Sequence, residues 1–158
     1  RAIVPVAERA GLRLALHPND PPVPVYRGVG QPLWNLDSMK RLVDVIDSPA
    51  NSVFFDTGVT TEYGEDAAEE IRYFGRRDRI GTVHFRNVRV EEPYYRYTET
   101  FVDEGDCDIV ACMRAFAEVG YEGGIDPDHT PRLIDDAHSS MGWAYAIGQL
   151  RALRLATH

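Results

Sequence analysis

Four short apolar runs in this chain each end at a histidine or an aspartate. The runs lie at residues 12–16, 52–55, 80–85 and 124–126, and the polar groups at their ends are His17, Asp56, His84 and Asp128. Imidazole nitrogens and carboxylate oxygens are ligands that manganese, iron, cobalt and zinc accept. Taken singly, each residue also fits a structural role, such as a turn at Asp56 or a helix cap at Asp128. Because every run supplies one such group, the pattern predicts a divalent metal site with open positions for substrate oxygens.

The elements that would position these groups alternate along the chain. Each apolar run has the composition of a β-strand and is followed by a polar loop and then by a stretch with helical period. The predicted helices span Leu36 to Ile46, Ala67 to Phe74, Ile109 to Phe116 and residues 141–155. The third helix has Asp106 or Asp108 as its N-cap and ends at Gly120. Residues 17–35 and 86–107 are predicted to be long loops.

Strands that alternate with helices imply parallel pairing and right-handed crossovers. The carboxyl ends of such strands share one edge, where parallel barrels carry their active sites. A closed eight-stranded barrel needs about 250 residues, whereas this chain has 158. The sequence therefore predicts an α/β fold of TIM-barrel type with about four βα units, in which residues 1–158 form the C-terminal half of a single barrel domain. An open parallel sheet is the alternative.

Composition and charge exclude several classes of function. The chain has a formal net charge of −8, and its 17 Lys and Arg are scattered, so nucleic acid is not an expected partner. No apolar run is long enough to cross a bilayer. Cys107 and Cys112 lie five apart on a predicted helix and are expected to point to different faces, without a disulfide. A cytoplasmic enzyme is the expectation. The N-terminus lacks both an initiating Met and a signal-peptide pattern, so we expect the sequence to begin within a larger protein.

Further candidate groups lie close to the predicted ligands. Arg86, two residues after His84, should project to the same face of its strand and could bind a substrate carboxylate, although a surface salt bridge is equally consistent. His129 has a pKa near neutrality and is a candidate acid or base. Glu99 is interpreted as part of a solvated acidic loop. Tyr97 belongs to a tyrosine group (Tyr94, Tyr95 and Tyr97) that either lines a sugar-sized pocket or packs at its rim.

At these residues the chain resembles the C-terminal half of the mannonate dehydratase family, whose barrel is related to that of xylose isomerase. The resemblance is carried by His-Pro-x-Asp-Pro-Pro, then His-x-Arg-Asn-Val, then Pro-Asp-His, a specific combination of three motifs. The matching segments are 14–24, 54–58, 79–88, 103–131 and 142–153. Together they span nearly the whole chain.

The resemblance implies dehydration of D-mannonate to 2-dehydro-3-deoxy-D-gluconate in hexuronate catabolism, with a divalent metal, usually Mn2+. Fe2+, Co2+ or Mg2+ are the alternatives. By position it implies metal ligands at His17, Asp56, His84 and Asp128, substrate contacts at Arg86 and Asn87, and catalytic roles for His129 and Tyr145. Two departures stand out. The family commonly has Cys where this chain has Asp56, which shifts preference toward harder ions, and Tyr145 reaches the family's tyrosine position only with a shift in register.

Two other functions fit the same residues. One is a xylose isomerase-like sugar isomerase or epimerase, which shares the barrel, the metal and enediol chemistry. The other is a non-catalytic fragment that only binds metal or a sugar acid. The expected partner is a small sugar acid, with neither a membrane nor nucleic acid. Because half a barrel exposes two strand edges, a homo-oligomer is possible.

Overall fold

The computed structural model describes residues 2–157, which form six helices and eight strands. In chain order these are α1 (Val4–Arg9), β1 (Leu14–Leu16), β2 (Val25–Tyr26), β3 (Val29–Gly30), α2 (Leu36–Asp44), β4 (Asn51–Asp56), α3 (Thr57–Glu62), α4 (Ala67–Gly75), β5 (Ile80–His84), β6 (Asn87–Glu92), β7 (Arg96–Thr100), α5 (Ile109–Glu118), β8 (Ile125–Asp126) and α6 (Ser140–Thr157).

The central sheet has four parallel strands in the order β1-β4-β5-β8. The register places Asp56 opposite His84, and His84 opposite Asp126. The carboxyl ends of the strands therefore share one edge, as parallel pairing requires. The four predicted βα units are confirmed.

A hydrophobic core joins the sheet to its covering helices. Val53, Phe55 and Val83 of the strands pack with Ile71 of α4 and Phe116 of α5, and all five are buried. These apolar side chains recur at helical spacing along α4 and α5, which explains why each helix lies against the sheet. The packed core holds the strand ends, and hence their polar side chains, in fixed positions.

Side-chain caps define where the helices begin. Asp66 caps α4, and Asp108 caps α5 by accepting from Ala111 N. The predicted alternative cap, Asp106, instead accepts a hydrogen bond from Val90 N. Gly120 has φ +67 just after α5, the left-handed conformation with which many helices end.

The prediction of two long loops is wrong in part, because each segment contains an antiparallel hairpin. Strands β2 and β3 pair within residues 17–35, and β6 and β7 pair within residues 86–107. The strands are exposed on much of their surface. Polar exposed strands lack the apolar run by which a buried strand is recognised, so their sequence resembles that of a loop.

The two cysteines also differ from expectation. Cys107 precedes α5 rather than lying on it, and its Sγ is 3.5 Å from that of Cys112. Both thiols are free and buried. The prediction that they point to different faces is therefore wrong, while the predicted absence of a disulfide agrees with the structure.

The sheet is open at both sides of the described region. Within residues 2–157, β1 pairs with β4 alone and β8 pairs with β5 alone. None of the helices in this part of the chain combines the length and apolarity that a membrane span needs.

Candidate metal centre

Three of the four predicted ligands meet at the carboxyl edge of the sheet. His17 Nε2 lies 3.1 Å from His84 Nδ1 and 3.3 Å from Asp56 Oδ2, and His84 Nδ1 lies 3.6 Å from the same oxygen. Each residue offers one ligand atom to the cluster, and all three atoms lie within 4.8 Å of one another. Ligands about 2.0–2.2 Å from a shared ion are themselves about 3.0–3.6 Å apart. The spacing therefore fits a single bound cation.

The hydrogen bonds of the two imidazoles also fit a cation. His17 Nδ1 lies 2.7 Å from the carbonyl oxygen of Pro18, which fixes the hydrogen on Nδ1 and leaves the lone pair of Nε2 directed at the cluster. His84 Nε2 lies 3.4 Å from Asp128 Oδ1, so a proton on Nε2 leaves Nδ1 free to coordinate. In this tautomer each ring can present an unprotonated nitrogen to a cation at that point, whereas a proton on the same nitrogen would be donated to Asp56 Oδ2.

Asp128, the fourth predicted ligand, lies beside this cluster rather than within it. Its Oδ1 faces the far nitrogen of His84, and its Oδ2 lies 3.7 Å from Arg86 Nε and 3.2 Å from His129 Nε2. The backbone of Asp128 has φ +66, a conformation uncommon outside glycine and found often at functional sites. Asp128 therefore shares the rim with the other three, and in this structure its contact orients His84.

Asp56 is the buried anion of the centre. It is 1% exposed; its Oδ1 caps α3 by accepting from Val59 N at 2.7 Å, and its Oδ2 faces the imidazoles. Burial alone would raise its pKa, but hydrogen bonds with His17 and His84 and the charge of Arg86 hold the pKa of Asp56 well below its usual range. Burial lowers the pKa of His17, yet Asp56 outweighs it and the net shift is upward. The carboxylate is ionised and ready to bind a cation.

Arg86 is the fixed cation of the site and is 2% exposed. Its Nε donates to Asp56 Oδ2 at 3.0 Å, its Nη1 to Glu62 Oε1 at 3.0 Å and its Nη2 to Asp20 Oδ2 at 2.9 Å. Burial lowers the pKa of Arg86, but the neighbouring carboxyl groups, Asp56 first among them, raise it by more. Every nitrogen of the guanidinium donates to a carboxyl group. The predicted contact with a substrate carboxylate would therefore require one of these partners to move.

Gly58 makes room for this guanidinium. A Cβ placed on Gly58 would lie 2.7 Å from Arg86 Nη1 and 2.8 Å from its Cζ, closer than real carbon contacts allow. Gly58 belongs to α3, the short helix that begins directly after Asp56 and was not predicted. Its Thr- and Gly-rich sequence has low helix propensity, and burial of the whole helix stabilises it instead.

His129 meets a carboxylate from the hairpin above the rim. Its Nε2 lies 3.2 Å from Glu99 Oε1, and this contact raises the pKa of His129, although burial opposes the shift. The same hydrogen bond lowers the pKa of Glu99. On the same strand, Tyr97 Oη donates to Asp20 Oδ1 at 2.9 Å. Glu99 lies on strand β7, so its interpretation as part of a loop is wrong, but its side chain is 47% exposed and is solvated as interpreted.

Two predicted site residues have other contacts. Asn87 is 1% exposed, and its amide is fully engaged by the backbone at the base of the β6–β7 hairpin. Tyr145 lies on α6, where its Oη donates to Asp103 Oδ2 at 2.9 Å. Among the contacts of the described residues, neither joins the three-residue cluster. The substrate role of Asn87 and the catalytic role of Tyr145 stay predictions.

Sequence reasoning gave no site role to three acidic groups: Asp20, Glu62 and Glu99. Asp20 lies in the segment His17-Pro18-Asn19-Asp20 and could have been found from that proximity to His17. Glu62 and Glu99 reach the site only through helix α3 and strand β7, two elements that the sequence did not reveal.

Solved structures define the class of protein. Mannonate dehydratase from Streptococcus suis serotype 2 matches with a TM-score of 0.88 and 27% identity, over 99% of this chain and 46% of that one. A xylose isomerase domain protein from Alicyclobacillus acidocaldarius matches with a TM-score of 0.75 and 17% identity, over 99% and 57%. With its parallel strands and rim cluster, the chain is part of a xylose isomerase-like TIM barrel.

The particular family follows from sequence. A family model described as D-mannonate dehydratase (UxuA) matches residues 1–157, and the chain belongs to this family. The mannonate dehydratase of Enterococcus faecalis is 36% identical over 85% of this chain and 37% of its own length. That of Thermotoga maritima is 35% identical over 80% of this chain and 36% of its own length. The chain thus spans little more than a third of these curated relatives.

Proposed function

We propose that this chain supplies the metal-binding rim of a hydro-lyase that converts D-mannonate to 2-dehydro-3-deoxy-D-gluconate and water. The observation that carries the proposal is the cluster of His17, Asp56 and His84, placed beside Arg86 and His129 in a member of the mannonate dehydratase family. A fragment that only binds metal or a sugar acid would not need an acid–base group at the same rim.

His17, Asp56 and His84 would hold the ion, with Asp128 as the proposed fourth ligand. The donor set of two imidazoles and carboxylates suits Mn2+, and Fe2+, Co2+ and Mg2+ are the other proposed ions, because carboxylate ligands favour harder ions than thiolates do. When bound, the ion supplies positive charge that stabilises the negative charge developing on the substrate near its carboxylate.

The chain's own residues would carry the proton transfers. Dehydration removes the C2 hydrogen as a proton and the C3 hydroxyl as water, and the resulting enol becomes the 2-keto acid. His129 is the proposed acid or base, since its ring is partly exposed at the rim and its pKa is raised by Glu99. Arg86 holds Asp56 in place and adds positive charge. Asn87 and Tyr145 remain proposed contributors to substrate contact and catalysis.

The proposal extends to the setting of the reaction. The substrate would be a small sugar acid, the pathway hexuronate breakdown, and the location the cytoplasm, where two free thiols persist. The open edges of the sheet support association with another copy of the chain.

The test is an assay of D-mannonate with Mn2+, before and after chelation, with the product followed by proton NMR. Loss of water creates a C3 methylene, whereas an isomerase or epimerase creates none. We expect His17→Ala and Asp56→Asn to weaken Mn2+ binding by at least about 10–100-fold, as measured by calorimetry. Product without a methylene would refute the dehydratase.

A second variant separates chemistry from metal binding. In the full-length protein, His129→Ala should retain Mn2+ but lower turnover by about 10²–10⁴-fold, the effect of one proton-transfer group. The exposed His138 provides the control, since His138→Ala should change neither quantity. Unchanged turnover in His129→Ala would remove His129 from the mechanism.

A further inference from the structure

Strand β7 brings two polar side chains to the metal rim. Tyr97 and Glu99 are two residues apart on an extended strand and therefore point to the same side. Tyr97 Oη contacts Asp20 at 2.9 Å, and Glu99 Oε1 contacts His129 Nε2 at 3.2 Å. The hairpin thus reaches two separate segments of the rim, residues 17–35 and the loop after β8.

The base of this hairpin is fixed to the end of β5. Asn87, the first residue of β6, donates from Nδ2 to the carbonyl oxygens of Val102 and Cys107 at 2.8 and 3.2 Å. Its Oδ1 accepts from Val88 N and Cys107 N, both at 2.9 Å. One buried amide therefore ties both ends of residues 87–107 together beside Arg86, and the position of Glu99 follows from this anchored hairpin.

A fixed cation also restrains the carboxylate of Glu99. Arg86 Nη1 lies 3.8 Å from Glu99 Oε1, while the other partners of that guanidinium hold it in place. Asp128 Oδ2 also lies 3.2 Å from His129 Nε2, so two carboxylates face the same nitrogen. Of these two carboxylates, Asp128 also faces His84 and Arg86, whereas Glu99 reaches the ring of His129 from a separate element, the anchored hairpin.

We propose that Glu99 is a positioning residue that orients His129 for proton transfer. By accepting a hydrogen bond from Nε2–H, Glu99 fixes the ring and selects the tautomer whose free lone pair is on Nδ1. The nitrogen that exchanges a proton with the sugar acid is then Nδ1. This inference rests on the proposed dehydratase function and adds to it a residue from the β6–β7 hairpin.

The test compares Glu99→Ala and Glu99→Gln with wild type. Glu99→Ala should lower kcat on D-mannonate by about 10–100-fold, as loss of a partner that orients a histidine does, with KM and Mn2+ affinity nearly unchanged. Glu99→Gln should recover part of the loss because its amide oxygen still accepts from Nε2–H. Glu91→Ala is the matched control: Glu91 is an exposed glutamate of the same hairpin that pairs with Arg96.

A readout independent of turnover accompanies the assay. In a 1H–15N correlation spectrum of the imidazoles, recorded with diamagnetic Mg2+ in place of Mn2+, wild-type His129 should show the Nε2–H tautomer. Glu99→Ala should shift part of the population toward Nδ1–H, because one of the two carboxylates that face Nε2 is lost. An unchanged kcat and tautomer in Glu99→Ala would overturn the proposal, as would a parallel fall in kcat, Mn2+ affinity and melting temperature. If wild type leaves D-mannonate unchanged while the tautomer still shifts, the dehydratase proposal fails and the role of Glu99 in orienting His129 stands.

Discussion

At the scale of single residues, Glu62 is a carboxyl group whose negative charge would be poorly compatible with its surroundings. Its side chain is completely buried at the end of α3, where Oε1 accepts from Arg86 and Oε2 has no hydrogen-bond partner among residues 2–157. Burial raises the pKa of Glu62 to about 8, although Arg86 opposes the shift. A carboxyl group that stays protonated near neutral pH avoids placing a further negative charge beside Asp56 and Asp20.

This raised pKa predicts how stability depends on pH. Between the unfolded pKa near 4.5 and the folded pKa near 8, the folded state binds more protons, so the contribution of Glu62 to stability is lost as pH rises. Glu62→Gln removes the titration. Its free energy of unfolding relative to wild type should therefore increase by about 1–4 kcal/mol between about pH 5 and about pH 8.

Urea unfolding of both proteins at the two pH values measures the difference. Glu69→Gln on α4, whose side chain is exposed, is the control and should show no such trend. A difference between Glu62→Gln and wild type that is constant with pH would contradict the raised pKa.

The sequence located the residues at strand ends and missed those that act across the fold. His17, Asp56 and His84 could be predicted because parallel strands bring their carboxyl ends to one edge. The contacts of Arg86 with Glu62 and Asp20 span 24 and 66 residues of chain. No local pattern reveals contacts between residues so far apart in the chain, so the carboxylate partners of Arg86 were not predicted, and its contact with substrate stays a prediction.

At the scale of elements, the β6–β7 hairpin depends on the side chain of Asn87. That amide satisfies four backbone groups at the hairpin base, and a Cβ on Gly105 would collide with its Oδ1. Hairpins with exposed surfaces gain little from apolar burial. The amide therefore supplies much of what holds this one against the sheet.

Asn87→Ala should destabilise the protein by more than about 2 kcal/mol, because buried backbone donors and acceptors lose their partners. Backbone amides of residues 87–107 should also exchange faster with solvent, as measured by hydrogen exchange. Thr98→Ala, at an exposed position of the same hairpin, should change stability by no more than about 0.5 kcal/mol. Equal protection of the hairpin in Asn87→Ala and wild type would show that other contacts hold it.

The elements themselves were predictable to different degrees. Helices α2, α4 and α5 combine apolar period with side-chain caps, and their positions were predicted to within a few residues. The hairpins lack both signals, and α3 has a cap in Asp56 but no apolar period. Helix α3 is buried despite its poor propensity, so tertiary packing determines it and the local sequence does not.

At the scale of the whole molecule, the open sheet leaves apolar surface beside β8. A groove of about 1020 Å³ lies there, with Phe116 and Ile125 in its wall and Ile147 and Leu155 of α6 along its side. Leu155 is 79% exposed. Unpaired strand edges next to apolar surface favour association with another chain.

The matched barrels are about twice as long as this chain, and in a longer protein further strands would cover this edge. For residues 1–158 alone we therefore expect concentration-dependent association, measured by sedimentation velocity. Leu155→Glu should weaken it by about 10-fold or more, since the variant places a charge in an apolar contact. Val29→Glu, an exposed apolar position on the β2–β3 hairpin, is the control and should associate as wild type does. A monomer at all concentrations would show that this surface has no self-association.

The close approach of Gly58 and Arg86 has a consequence for how the protein tolerates change. The two positions are 28 residues apart, yet any side chain at 58 would occupy the volume of the guanidinium. Their substitutions should therefore be non-additive: an alanine at 58 is damaging while the arginine remains and nearly harmless once a smaller side chain replaces it. A larger residue at position 58 should therefore become tolerable only after a smaller residue has replaced Arg86.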